Sequence, residues 1–206
     1  MKKLKIPEAT IIRLSVYSRY FTELVRKGII TLSSNDIAKG VGVNPAQVRK
    51  DLAFFGDFGT KGVGYNLQDL QQNILKILSL DADWDVALVG LGNLGLALSS
   101  YKGFRERGFI IKNIFDNDLS KIGTLINDVE VLPVSRLIEV VKQNKVQIGI
   151  ISVPSDFAQE IADMLVQGGI QAILNFAPVV INVPPEIKLR NVDLAGNMEL
   201  LAYNAS

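Results

Sequence analysis

The stretch Asp85-Val86-Ala87-Leu88-Val89-Gly90-Leu91-Gly92-Asn93-Leu94-Gly95 decides the fold of this chain. Residues 86–89, with Asp85 before them, read as a short buried strand. The strand runs into three glycines spaced G-x-G-x-x-G and then into residues 94–101, which can be helical. In a dinucleotide site each glycine has its own physical role: a tight turn at Gly90, close approach of a pyrophosphate at Gly92, and close helix–strand packing at Gly95. The phosphates then meet the free N–H groups at the helix N-terminus, and Leu91, Asn93 and Leu94 join the glycines in the cofactor-binding set. Seventeen glycines in 206 residues also produce such spacings by chance, so the loop alone fits an ordinary strand–turn–helix equally well.

The next unit separates the two readings. Residues 109–115 form a second apolar strand, and it ends in Asp116, 21 residues past Gly95. A carboxylate about 20 residues beyond the last glycine is the expected partner of a ribose 2′-hydroxyl. Asn117 and Asp118 follow with no adjacent arginine to receive a 2′-phosphate, so NADH and NAD are favoured over their phosphorylated forms.

Strand–helix alternation continues to the end of the chain. Residues 129–132 and 146–153 read as strands, 134–144 and 156–167 as helices, and 172–176 as one more strand. The tail from Val192 reads as a last strand and a short helix. Near-continuous apolar strands alternating with helices imply an α/β fold, a Rossmann-like parallel sheet with helices on both faces. Ligands of such sheets bind at the carboxyl ends of the strands. That places Gly90–Gly95, Asp116 and Asn117, Val153 and Pro154, and Asn175, Phe176, Ala177 and Pro178 along one rim. The two proline-containing segments could equally be strand terminators.

The front of the chain is different. Residues 1–78 hold 12 Lys and Arg against 6 Asp and Glu, whereas the remainder holds 10 against 15. A basic front on an acidic back suggests that the front meets a polyanion. Leu14, Tyr17, Phe21 and Leu24 recur at helical spacing up to Gly28. Ser33-Ser34-Asn35 offers cap chemistry for a short helix over 36–39, residues 40–43 read as a turn, and Asn44-Pro45 opens a helix to about Phe54. Two short helices joined by a glycine-containing turn form a helix-turn-helix, whose second helix enters the major groove. The DNA-facing set is Ser33, Ser34, Asn44, Gln47, Arg49 and Lys50, with Gln47 suited to adenine and Arg49 to guanine, or either to phosphate. The glycine-rich segment 55–65 suggests a hairpin wing with Lys61 at its tip. The expected organisation is therefore a winged helix-turn-helix domain over residues 1–80 and a Rossmann-like domain over 81–206, with a C-terminal helix.

Taken together and in order, Gln47-Val48-Arg49-Lys50-Asp51-Leu52, Phe55-Gly56-Asp57-Phe58-Gly59, Lys61-Gly62-Val63-Gly64-Tyr65, the Gly90–Gly95 loop, Phe115-Asp116 and Ile173-Leu174-Asn175-Phe176-Ala177-Pro178-Val179 resemble the Rex family of redox-sensing transcriptional repressors. The resemblance covers essentially the whole chain. It implies a homodimer that binds palindromic double-stranded operator DNA and is released by NADH, while NAD⁺ leaves it bound or competes with NADH. In that family the operators control genes of fermentation and anaerobic respiration. It also implies a coupling of Arg13, Tyr101 and Asp193. The chain departs from the family in stopping at Tyr203-Asn204-Ala205-Ser206, where members commonly continue into a longer helix exchanged between subunits. Asn44-Pro45-Ala46 is a further individual choice that bears on operator preference.

The rival class is an NAD-dependent oxidoreductase with an accessory basic domain. The chain contains no histidine and no cysteine, and no Tyr-x-x-x-Lys pair, so no catalytic or metal-ligating set is expected. About 125 residues after the linker fill one Rossmann domain and leave no substrate domain of ordinary size. A module sensing another nucleotide, such as a coenzyme A ester, is a third reading. Charged Glu8 and Arg13 interrupt the segment after Met-Lys-Lys, so no signal peptide is expected, and no apolar run reaches the ~18 residues of a membrane span. A cytoplasmic location follows by default.

Overall fold

The computed structural model describes residues 6–54, 56, 59–60 (backbone only) and 64–205. Backbone contacts divide the chain into two units, Met1–Ala82 and Asp83–Ser206.

In the first unit, α1 (Glu8–Arg26) buries Leu14, Tyr17 and Phe21 on one stripe, and the chain leaves it through Gly28 in the left-handed region. After β1 (Thr31–Leu32), α2 (Ser34–Val41) opens on a complete capping box. The Asp36 N–H donates to Ser33 Oγ (3.1 Å), and the Ser33 N–H donates to the Asp36 carboxylate (3.1 Å). The expected turn over 40–43 is shorter than the glycines suggested. Gly40 lies inside α2, where its missing side chain makes room for the Tyr20 ring, and only Gly42 adopts φ +73° to end the helix. Next, α3 (Pro45–Ala53) begins with Asn44 Oδ1 accepting the Gln47 N–H at 2.7 Å, and it buries Val48 and Leu52. The strands β2 (Gly59–Thr60) and β3 (Gly64–Asn66) pair antiparallel, and β1 adds to β3. Finally α4 (Leu67–Ile77), capped by Asn66, closes the core with Leu67, Leu70 and Ile74. Helices α1–α3 and the small antiparallel sheet form a winged helix, with α4 as a fourth helix on its core.

The second unit runs β4 (Trp84–Val89), α5 (Asn93–Ser99), α6 (Lys102–Arg105), β5 (Phe109–Asp116), β6 (Leu125–Ile126), β7 (Val129–Pro133), α7 (Leu137–Gln143), β8 (Ile148–Ile151), α8 (Ser155–Gly168), β9 (Ala172–Asn175), β10 (Lys188–Asn191) and α9 (Leu194–Ala205). The sheet order is β10-β9-β8-β4-β5-β7-β6, parallel everywhere except the β6–β7 hairpin. Counting only the parallel strands, this is the doubly wound order 3-2-1-4-5-6 of a Rossmann sheet, with its topological switch between β4 and β8. Central β4 is buried on both faces: Ala87 and Val89 pack beneath α7 and α8, while Val86 and Leu88 belong to the opposite core with Leu91 and Ile114. Two covered faces explain why residues 86–89 of β4 read as an unbroken apolar run.

Two expectations are corrected here. The last strand lies at Lys188–Asn191, ahead of the expected Val192, because its edge position lets charged residues occupy a strand. The tail is a full helix of 12 residues with no side chain buried, and it exposes Leu194, Met198, Leu200, Leu201 and Tyr203. Strand β7 covers the strand expected at 129–132, but its hairpin partner β6 had no counterpart in the sequence reading. The hairpin turns on Asn127 and Asp128, both at positive φ, as a two-residue hairpin loop requires.

Candidate nucleotide rim and nucleic-acid interface

The three glycines after β4 occupy three distinct environments. Gly90 takes φ +94°, and a Cβ there would stand 2.6 Å from the Ser152 carbonyl oxygen and 2.8 Å from Val153 Cγ1. Gly95 is buried at the first turn of α5, where a Cβ would overlap the Gly90 carbonyl. Gly92, the residue before α5, has nothing within 4 Å of its Cβ position. Turn, open approach and close helix–strand packing are thus divided among Gly90, Gly92 and Gly95 as a phosphate loop needs.

Asp116, at the end of β5, braces this loop. Its Oδ2 accepts the Leu91 N–H at 2.6 Å and its Oδ1 accepts the Asp118 N–H at 2.8 Å. Lys121 Nζ stands 3.6 Å from Asp116 and 3.4 Å from Asp118, so one cation serves two carboxylates. Hydrogen bonds from the Ser120 hydroxyl and N–H hold the Asp118 carboxyl below its usual range. Asn117, Asn93 and Leu94 are exposed beside the loop, whereas Leu91 is buried.

Ser152 was missed by sequence reasoning, since a lone serine before Val-Pro carries no pattern. Its hydroxyl lies 2.9 Å from the Gly90 carbonyl and 3.1 Å from that of Val89, and ties the end of β8 to the glycine turn. Val153 is half-buried against the core, and exposed Pro154 starts α8. Farther along, Asn175 is fully buried. Its Nδ2 donates to the carbonyls of Ala177 (3.2 Å) and Val179 (3.0 Å) and to Asn191 Oδ1 (2.9 Å), while its Oδ1 accepts the Ala177 N–H (2.9 Å). Asn175 therefore shapes the loop, and Pro178 and half-buried Phe176 present its surface. That loop and Asp193 line one cavity of about 270 Å³.

The expected coupling residues lie in separate surroundings. Tyr101 is exposed, edge-on to Phe104 with ring centroids 5.1 Å apart, and lines a different cavity of about 490 Å³. Asp193 Oδ1 accepts the Gly196 N–H at 2.8 Å at the start of α9. Arg13 is engaged within its own unit: its Nε donates to Asp51 Oδ2 at 2.6 Å and its Nη2 to Oδ1 at 2.7 Å.

On the winged helix, Ser33 and Asn44 cap α2 and α3, and Arg49 Nη1 donates to Ser34 Oγ at 2.9 Å, linking the two helices on their exposed side. Lys50 is exposed. Gln47 is half-buried, its Nε2 donating to Asp51 Oδ1 at 2.9 Å. Lys61 lies outside the described residues. Asp51 also accepts hydrogen bonds from Thr10 Oγ1 (3.2 Å) and the Tyr17 hydroxyl (2.9 Å). Burial pushes its carboxyl up, but the hydrogen bonds from Arg13, Tyr17 and Gln47 outweigh that and hold it below its usual range. The same contacts push the Arg13 guanidinium up, while burial and then Asp51 push the Tyr17 phenol up.

Among the described residues no group of three or more His, Cys, Asp or Glu side chains is placed to hold a metal ion, and no helix is long and apolar enough to cross a membrane. Fold and site together define a class: a winged-helix unit joined in one chain to a Rossmann-type nucleotide-binding unit. Comparison with known proteins agrees with both parts. Residues 5–53 match the family model for the N-terminus of putative DNA-binding proteins, and residues 81–179 match that for a CoA binding domain. The redox-sensing transcriptional repressor Rex of Desulfitobacterium hafniense is 74% identical over 99% of this chain and 97% of its own. The crystal structure of RSP in complex with β-NAD⁺ and operator DNA superposes with a TM-score of 0.94 at 40% identity, covering 98% of this chain and 93% of that one. RSP in complex with β-NADH gives 0.87 at 38% identity, covering 98% and 95%. The chain belongs to the Rex family of redox-sensing transcriptional repressors. Its relatives are named as repressors rather than enzymes.

Proposed function

We propose that this protein is a cytoplasmic, homodimeric repressor that binds palindromic operator DNA through its winged helices and is released when NADH occupies the rim of its Rossmann unit. The observation that carries the reading is the pairing of an open Gly92 with Asp116 braced beside it, in a chain 74% identical to a named Rex repressor. Gly90–Gly95 face the pyrophosphate, Asp116 and Asn117 the adenosine ribose, and Val153, Pro154 and the Asn175–Pro178 loop the nicotinamide end. Ser33, Ser34, Asn44, Arg49 and Lys50, with Lys61, make the DNA-facing set, and Gln47 stands on the same helix, half-buried beside Asp51. Domain limits of 1–80 and 81–206 follow the change from basic to acidic composition. The exposed apolar side chains of α9 support the homodimer.

Half-sites one helical turn apart demand a fixed separation of the two reading helices. Nucleotide binding that changes this separation costs affinity without altering the reading residues, and Arg13, Tyr101 and Asp193 connect the two events. By linkage, operator DNA weakens NADH binding by the factor with which NADH weakens DNA binding.

Fluorescence anisotropy of a labelled palindromic duplex, titrated with protein at fixed salt in no nucleotide, NAD⁺ or NADH, tests the reading. Release by NADH alone is the expected result. Equal binding in all three conditions refutes it, and a fourth arm with a coenzyme A ester separates the ligand that the CoA-binding family model suggests.

A further inference from the structure

Asp51 sits on α3 itself, completely buried, and accepts five hydrogen bonds. Four come from Thr10, Arg13 and Tyr17, which share one stripe of α1, and the fifth comes from Gln47, one turn earlier on α3. Arg13 Nη2 also donates to Thr10 Oγ1 at 3.1 Å, so the donors hold one another in place. Exchanging such a buried ionic cluster for apolar residues is often neutral or stabilising. What an apolar patch would lack is direction. Five donors fixed on one carboxylate set both the distance of α3 from α1 and its rotation about its own axis. That rotation leaves Ala46, Arg49, Lys50 and Ala53 exposed as one helical stripe and turns Gln47 to the flank.

We propose that Asp51 is the positioning residue of the recognition helix, and that Gln47 is one of its fixed donors rather than a reader of bases. Base reading then falls to the exposed stripe, with Arg49 and Lys50 as donors and Ala46 as an apolar contact. The inference rests on the reading of α3 as the recognition helix given above.

The test uses the full-length protein and a duplex selected by it from a random-sequence pool, together with every single-base-pair variant of that half-site. Operator affinity, its salt slope, NADH affinity and the melting curve are measured for Gln47→Ala, Thr10→Val and Asp51→Asn. Each folded variant is expected to bind more weakly, roughly three- to tenfold for Gln47→Ala and Thr10→Val and more than tenfold for Asp51→Asn. The loss is the same on every duplex in the panel, the salt slope is that of wild type because no phosphate contact is removed, and NADH affinity is unchanged. If Asp51→Asn does not fold, the other two variants carry the test, each removing a single donor. A Gln47→Ala protein that loses its preference at one base pair overturns the inference, because Gln47 is then a reader. Variants that melt earlier yet bind operator as wild type does once folded overturn it as well, since the cluster is then merely structural. If the wild-type protein selects no duplex, the repressor reading itself fails, and the inference with it.

Discussion

Replacing Gly95 by alanine puts a Cβ 2.9 Å from the Gly90 carbonyl carbon, 3.0 Å from Ser152 Oγ, and closer still to the Gly90 oxygen. Carbon atoms pack at 3.5–4.0 Å, so α5 must retreat from the glycine turn by at least about half an ångström. Two of the obstacles are backbone atoms, and the third is a hydroxyl held at 2.9 Å from the Gly90 carbonyl, so none can swing aside. Overpacking of this kind costs about 1–3 kcal/mol. For a unit of this size the Rossmann melting transition is expected to fall by roughly 3–12 °C. Gly92→Ala is the matched control, since nothing lies within 4 Å of its Cβ. Its stability is expected within about 0.5 kcal/mol of wild type, while NADH affinity drops at least about tenfold because the new methyl group occupies the pyrophosphate approach. Differential scanning calorimetry and NADH fluorescence titration of both variants decide the matter. A Gly92→Ala protein that binds NADH as wild type does refutes the assignment of this loop to the pyrophosphate, whatever its stability.

Asp116→Ala removes the ribose acceptor and leaves the Leu91 N–H without its partner; NADH titration is expected to show at least a tenfold loss, with nucleotide-free operator binding intact. Arg49→Ala is expected to weaken operator binding and leave NADH affinity unchanged; if anisotropy shows wild-type operator affinity, the recognition helix is misplaced. The Asp51 carboxyl lies below its unfolded value, so its stabilisation is fully present above the ordinary aspartate range near about pH 4 and is lost as the pH falls through the folded value. Acid titration followed by circular dichroism is therefore expected to show a flatter acid limb for Asp51→Asn than for wild type, and parallel limbs count against the clamp.

Much of this was legible in the sequence where local chemistry and global fold agree. The glycine spacing, the apolar run of β4 and the carboxylate 21 residues past Gly95 each require particular backbone geometry, and the structure supplies it. Ser33 and Asn44 announced their helices because caps act within three residues. What stayed hidden depends on partners distant in the chain. Gln47 reads as a polar residue on a solvent face, and only the fold brings Asp51 and the α1 stripe to it. Asn175 reads as a rim residue, yet its carboxamide is sealed under the loop it shapes. The edge strand β10 is too charged to announce itself, since one side of it needs no apolar cover.

The titrating groups have a consequence for what the protein can be confused by. No side chain in the chain has an ordinary pKa between about 5 and 8, because histidine is absent. The resolved shifts run outward from neutrality: Asp36, Asp51 and Asp118 move down, Arg13 and Tyr17 up. A change of pH around neutrality therefore titrates none of these five groups, and the Arg13–Asp51–Tyr17 clamp that holds α3 keeps its charges and its hydrogen-bond directions across that range.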